Sequence, residues 1–441
     1  MRDVRMRGFA ERADVEDVER FLAEHSPPLG SEQVASSACA GRILAAAVDS
    51  PGNVPAFDRS AMDGYAVRGA DTFGASPYDP IRLTLVGEAL PGKASDAPVG
   101  AGEAVRIMTG APLPAGADAV VMAEVCEEEG GKVDVREAVA PQKNVGAIGE
   151  DIRTGDALLT PGRHLRPQDA ALLVSVGIGA VPCVRTPLVR LVVTGNELLP
   201  AGSEPEGVKI VDSNSVMLAG LIERDGGVTL PFEILPDDPD AIRAALAADD
   251  ADVVLVSGGS SVGKEDYAPQ LVAELGRLDF HGISMRPSSP TGVGRLGAGI
   301  DGSGHDRFAF LLPGNPVSCL CAYEFFAGPT IRALGGRKRD WPHPRVDLPL
   351  ARKISSELGR TDYVRVAIED GQVVPLATSG ASILSSTVRA AGVVVVPRDA
   401  EGYPEWAEVE VRLYDDTAET YERPAQSRPS PAGSGPVGGI Q

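Results

Sequence analysis

Between residues 187 and 331, short apolar, β-branched runs alternate with stretches of helical spacing. The runs are 188–193, 228–235, 252–256 and 308–312, and the helix-like stretches are 215–224, 239–248, 269–278 and 316–331. Strands separated by helices of this length form βαβ units around a mostly parallel sheet, with helices on its faces. In open sheets of this kind, ligands bind outside the carboxyl ends of the strands. The residues just after each run are therefore the first candidates for a site.

The third run opens the segment DVVLVSGGSSVGKED, residues 252–266. A strand feeding Ser257, Gly258, Gly259, Ser260 and Gly263 leaves several backbone N–H groups to point at one anion. Lys264, Glu265 and Asp266 follow at once, and an anion cradle beside carboxylates points to phosphate with a divalent cation. Residues 258–264 also fit G-x-x-x-x-G-K, but Glu265 stands where a Walker A loop needs the Ser or Thr that binds Mg²⁺. Three readings stay open from this loop alone: a plain glycine turn, a non-Walker phosphate site, and the degenerate P-loop of an NTPase.

In LLPGNPVS, residues 311–318, Asn315 is a good N-cap and Pro316 suits the first helical position. The helix start offers N–H groups and positive dipole to an anion beside Pro313 and Gly314. A well-capped turn without a ligand is the plain alternative. Glu197 ends VTGNEL, and Asp237 and Asp238 follow the second run. Asp238, just before Pro239, is a natural N-cap. Glu197, Asp237 and Asp266 thus stand at successive strand ends, where oxygen ligands suit Mg²⁺. Solvated surface acids fit the same pattern. Asp63, Thr109 and Asp151 lie in mixed polar and small-residue segments that are odd for plain strands. No nucleophile–histidine pair is visible, which disfavours covalent acyl-type catalysis.

Asp plus Glu number 62 against 41 Lys plus Arg, a net charge of −21. That balance argues against nucleic acid or an anionic membrane as the main partner. Five scattered cysteines without a C-x-x-C pair read as a reduced intracellular protein. The N-terminus lacks the apolar segment of a signal peptide, no run reaches membrane-span length, and the expected location is the cytoplasm. Residues 1–50 and 143–186 read as a split helical domain, with 13–49 helical throughout and a second helix at 167–176. A β-rich module, 51–142, is inserted between them, with strands at 81–86, 104–107, 119–122 and 132–135. Residues 187–336 form the α/β domain, and 337–416 a small all-β barrel. Residues 417–441 are a Pro/Gly/Ser-rich tail expected to be disordered.

The motifs SAMDGYAV (60–67), RIMTGAPLP (106–114), GEDI (149–152), TGNEL (194–198), SGGSSVG (257–263), LPGNPVS (312–318) and GASILSSTVRAAGVVVVP (380–397) run through nearly the whole chain. In this order they resemble the molybdopterin molybdenumtransferase family, of the MoeA and gephyrin E-domain type. The resemblance implies an α/β multidomain protein in which a molybdopterin-binding α/β domain joins a split helical domain, an inserted β-rich domain and a C-terminal β-barrel. It implies Mg²⁺-dependent insertion of molybdenum from molybdate into adenylylated molybdopterin, with release of AMP. Homodimers, an upstream molybdopterin adenylyltransferase and recipient molybdoenzymes are the implied partners. Carried over, Glu197, Asp237 and Asp266 hold Mg²⁺ and, with Asp63 and Asp151, serve catalysis. Thr109, Ser257, Gly258, Gly259, Ser260, Gly263, Pro313, Gly314, Asn315 and Pro316 bind substrate, with Arg286, Arg360 and Ser382 near the oxyanion. The chain departs from the family at RPSSP, 286–290, where a Lys-Pro-Gly-Lys-Pro type segment is usual. Arg286 keeps one charge and Ser289 loses the other, so a non-catalytic binding or carrier paralogue is the alternative. Asn196 replaces an Asp, and Val293-Gly294 a Phe-Gly.

Overall fold

A computed structural model describes residues 12–259, 266–298, 306–377 and 380–415. Ser260, Gly263, Lys264, Glu265 and the 417–441 tail lie outside the described residues. The chain forms two compact units, one of Ser31–Cys183 and one that joins Met1–Gly30 to Val184–Gln441.

The second unit is built on a seven-stranded sheet. Its order is Val228–Thr229, Leu188–Thr194, Val253–Ser257, Asp306–Leu312, Gly292–Ala298, Arg277–His281, with Ile234–Leu235 also paired to Leu188–Thr194. The strands up to Asp306–Leu312 run parallel. The last two are antiparallel. All five residues of Val253–Ser257 are buried, as a strand covered on both faces requires. Alternate side chains feed two cores. Val189, Leu191, Val253, Leu255, Phe308 and Phe310 pack with Leu218, Ile222, Tyr323 and Phe326, and with Val15, Val18 and Leu22 of the first helix, Val15–His25. Val192, Val254, Val256, Ala309 and Leu311 pack with Ile242, Leu246, Leu271 and Val272 on the other face.

The helix expected to reach 278 stops at Leu275, and Arg277–His281 is a strand. Gly276 permits the switch, because a Cβ there would lie 2.0 Å from the Arg295 carbonyl oxygen of the neighbouring strand. The strand Gly292–Ala298, GVGRLGA, was hidden by its glycines. The long helix after Asn315 is interrupted by a π turn, Tyr323–Ala327. Glu324 in that turn is buried and accepts from Arg224 Nη1 at 2.7 Å and Nη2 at 3.1 Å. The same guanidinium reaches Asp225, which also accepts from Tyr323 and Arg332. His343 Nε2 lies 3.3 Å from Glu324 Oε1.

In the C-terminal part a six-stranded sheet runs Met285–Arg286, Thr361–Glu369, Gly392–Val396, Glu408–Leu413, Arg345–Pro349, with Gln372–Ala377 beside Thr361–Glu369. Its core is Leu348, Val364, Val366, Val394, Val396 and Val411.

The unit Ser31–Cys183 holds another six-stranded sheet, ordered Ala119–Met122, Gly64–Val67, Glu103–Ile107, Ile81–Ala89, Lys132–Val135, Cys126–Glu129. The expected helix continuing through 34–48 is absent. Ser31–Ala35 is a strand, Ser36–Ala38 one 3₁₀ turn, and Val48–Asp49 pairs with Ala157–Leu159. Ser36 N–H is drawn to the Gly179 carbonyl at 2.9 Å, and Gly41 adopts φ +85°, which ends any helix. The apolar spacing still reported burial, since Cys39, Leu44 and Val48 join Leu159, Leu165 and Leu173 of the helix Pro167–Ser175 and its approach.

Burial pushes the Glu324 carboxyl up, but the His343 and Arg224 contacts outweigh it and hold it at about 2, below its ordinary 4.5. A depressed carboxylate contributes stability above its ordinary pKa, and that contribution is lost as pH falls toward the folded value. Urea unfolding should therefore show stability dropping between about pH 4.5 and about 2. Glu324→Gln should be less stable at neutral pH, with a flatter acid limb; an unchanged limb would contradict this account.

Candidate functional site

Thr194, Ser257 and Leu312 end three adjacent parallel strands in register, Val193 opposite Ser257 and Ser257 opposite Leu312. Beyond them opens a cleft of about 660 Å³. Gly258 leaves the central strand with φ +97°, and a Cβ there would sit 2.5 Å from the Thr194 carbonyl oxygen, so the turn demands glycine. A Cβ on Gly314 would meet only the Gly258 Cα, at 3.8 Å, so the two glycine loops lie side by side. Gly259, Pro313, Asn315 and Pro316 complete this wall.

Glu197, Asp237 and Asp266 also line the cleft. Asp237 is oriented by the loop of the first strand: its Oδ2 accepts from Asn196 N–H at 3.0 Å, and its own N–H reaches Asn196 Oδ1 at 3.4 Å. Asp238 caps the next helix through Asp240 and Ala241 N–H. Among the described residues, no group of three or more His, Cys, Asp or Glu is close enough to hold a metal ion. The expected three-carboxylate metal set is thus corrected to acids that share the cleft without converging. Their oxygen-only chemistry still fits Mg²⁺, which takes one or two carboxylates and fills the rest with water and substrate phosphate.

The Asn315 turn differs from the expectation. Asn315 makes no side-chain cap and is exposed at the cleft. Val317 N–H donates instead to the Ala381 carbonyl at 3.0 Å. That bond brings in the loop of Ser382, which lines the cleft. Since Pro316 has no N–H, the first helical turn offers fewer donors to an anion than the sequence implied.

Arg286 and Arg360 do not line the cleft. Both grip Asp362, which is 1% exposed: Arg286 Nη2 at 2.5 Å and Arg360 Nε at 3.0 Å. Arg360 also reaches Glu357 at 2.8 Å. The strand pairing of Met285–Arg286 with Thr361–Glu369 sets Arg286 opposite Asp362 and fixes this contact. In the RPSSP segment, Pro290 lines the cleft. Ser288 is buried with φ 89° and donates to the Ser318 carbonyl at 2.8 Å. The Ser289 hydroxyl is buried without a partner.

In the unit Ser31–Cys183, Asp63 Oδ1 accepts from Thr109 N–H at 2.7 Å and Oγ1 at 2.8 Å. The backbone bond, followed by the hydroxyl bond, holds the exposed carboxyl below its ordinary pKa. Asp151 is exposed, and its N–H donates to the Val54 carbonyl at 3.0 Å.

Sequence reasoning missed Asn214, the first residue of the helix Asn214–Arg224. Its Nδ2 donates to Ser257 Oγ at 3.0 Å and to the Gly314 carbonyl at 2.8 Å, tying the two loops together. Asp212, also in the cleft, accepts from Ser215 N–H at 3.2 Å and from its hydroxyl. The readable signal was the polar cluster DSNS between an apolar pair, Ile210–Val211, and a helical pattern.

Residues 13–177 match the MoeA N-terminal region (domain I and II), 190–333 a probable molybdopterin binding domain, and 347–414 the MoeA C-terminal region (domain IV). A putative molybdopterin biosynthesis protein of Methanocaldococcus jannaschii is 36% identical over 383 residues, covering 84% of this chain and 89% of its own. The chain belongs to the MoeA family. The molybdopterin molybdenumtransferase of Haemophilus influenzae is 33% identical, covering 86% of this chain and 93% of its own. The crystal structure of the MoeA molybdopterin biosynthesis protein of Pyrococcus horikoshii superposes with a TM-score of 0.76 at 34% identity, over 92% of this chain and all of that one. As a MoeA member the chain is a transferase with an α/β multidomain fold. Among the described residues, no helix is long and apolar enough to cross a membrane.

Gly258→Ala should lower the thermal midpoint, since positive φ costs an L-residue about 1–2 kcal/mol before the clash with Thr194 is counted. Gly220→Ala, inside the helix Asn214–Arg224 with open space around its Cβ site, should be neutral or stabilising by up to about 1 kcal/mol. Calorimetric scans of the two variants check this; equal midpoints would refute it.

Proposed function

We propose that this transferase inserts molybdenum from molybdate into adenylylated molybdopterin and releases AMP, with Mg²⁺ present. The observation that carries this reading is that two glycine loops and three acids line one cleft beyond level strand ends. The Gly258 and Gly314 loops bring bare backbone against the ligand. In this reading one or two of the cleft acids, Glu197 and Asp266, would hold the cation together with substrate phosphate and water, and Asn196 keeps Asp237 in orientation. Mg²⁺ supplies charge neutralisation on the phosphoanhydride. Water attacks phosphorus, the bridging P–O bond breaks, AMP leaves, and a cleft carboxylate takes the proton. Stabilisation is electrostatic, without a covalent intermediate. Asp63, Thr109 and Asp151 close the site from a second copy in a homodimer; the ordered, exposed Asp63 carboxylate supports that role. The location in this reading is the cytoplasm, between an upstream molybdopterin adenylyltransferase and the recipient molybdoenzymes.

One observation favours a second reading. Ser289 is uncharged, and Arg286 and Arg360 are both ion-paired with Asp362. A protein that binds and hands on the cofactor without insertion would look the same.

Protein incubated with adenylylated molybdopterin, molybdate and Mg²⁺ decides between them. For an insertase, AMP release and bound molybdenum should rise in parallel, and Glu197→Ala or Asp266→Ala should cut both at least about 100-fold, the scale expected for lost charge stabilisation. Pterin binding without either signal, with turnover gained in Ser289→Lys, would establish the carrier.

A further inference from the structure

Two nearly buried polar side chains in the cleft have an atom without a partner. Asn214 is 7% exposed and Thr194 3%. Both line the cleft, and among the described residues neither Asn214 Oδ1 nor Thr194 Oγ1 has a hydrogen-bond partner. The orientation of the Asn214 amide is set by its surroundings. The Gly314 carbonyl can only accept, so Nδ2 must face it, at 2.8 Å, and the second amide hydrogen goes to Ser257 Oγ at 3.0 Å. Both donors are used, and Oδ1 is left as a buried acceptor.

An acceptor of this kind selects chemistry. A phosphoanhydride and molybdate at neutral pH offer only oxygen lone pairs and cannot satisfy it. Repulsion from Oδ1 would instead turn an anion away from this part of the floor. A neutral N–H or O–H donor does the reverse, and buried sites that expect a donor reject analogues lacking it. Thr194 Oγ1, which can donate or accept, lies near the same turn: a Cβ on Gly259 would be 3.3 Å from it.

We propose that Asn214 Oδ1 is a specificity-determining acceptor that receives a neutral N–H or O–H donor of the substrate. The uncharged part of the ligand then lies over Asn214, between Ser257 and Gly314, and its anionic part lies toward the acid-lined side of the cleft. This rests on the insertase reading, in which the substrate carries two such donors: the amino-lactam edge of the pterin and the ribose hydroxyls of the adenylyl group.

Titration calorimetry with matched ligands separates the two. One pair is AMP and 2′,3′-dideoxy-AMP; the other is 6-hydroxymethylpterin and its 2-dimethylamino analogue, which lacks the exocyclic N–H donors. In one pair, the wild-type protein should bind the donor-bearing ligand at least about tenfold tighter, about 1.4 kcal/mol. Asn214→Leu should reduce that ratio below about twofold. Because the cycle compares ligands within each protein, general loosening of the loops cancels. Should Asn214→Leu not fold, the smaller Asn214→Ala serves: it also lacks the acceptor and should bring the ratio below about twofold. Equal binding within both pairs by wild type, or the wild-type ratio kept in the folded variant, would overturn the assignment while leaving the insertase reading standing. Failure of wild type to bind any of the four ligands would instead bring down both.

Discussion

The hydrogen-bonded ladder of Leu188–Thr194, Val253–Ser257 and Asp306–Leu312 sets Val193 opposite Ser257 and Ser257 opposite Leu312. Parallel pairing in this register makes the three chains leave the sheet at one height. Asp252 anchors the other end. Its carboxylate receives the Arg185 guanidinium at 2.7 and 2.9 Å and the Leu188 N–H at 2.9 Å. A slip of one residue would send each side chain to the opposite face and mismatch both cores at once. The cleft therefore inherits its geometry from burial far from any ligand. Its walls are what remains when buried strands end together and their glycine turns are brought close.

Much of this was legible in the chain. Helix–strand alternation after residue 187 exposes the parallel sheet because fully buried strands leave continuous β-branched runs, as in Val253–Ser257. That Glu197, Asp237, Gly258 and Gly314 line the cleft was legible because they come soon after those runs, and Asp266 because it closes the loop that the third run opens. What stayed hidden has physical reasons. Gly292–Ala298 carries too much glycine to look like a strand, and only its neighbours make it one. Residues 39–48 have helical apolar spacing, yet tertiary pairing overrides local preference there. Asn214 sits far in sequence from Ser257 and Gly314, and its role exists only once the helix Asn214–Arg224 is placed beside both loops. Distance in the chain likewise concealed that Arg286 and Arg360 share one carboxylate.

Buried charge in the α/β part is handled by sharing. Arg224 bridges Asp225 and Glu324, and Arg332 and Tyr323 add to Asp225. Each buried carboxylate thereby has several donors, the condition under which an ion pair offsets its desolvation. The π turn Tyr323–Ala327 lies in this network, so the irregularity of the helix and the position of Glu324 belong together.

The same economy near the cleft has a different effect. Asp362 binds two guanidinium groups at once, and Ser356 Oγ donates to it at 2.9 Å. The positive potential of that region is then governed by an aspartate, while the arginines that supply it are fixed. A lineage could change how both arginines are held without gaining or losing a single basic residue, by altering the one acid that restrains them.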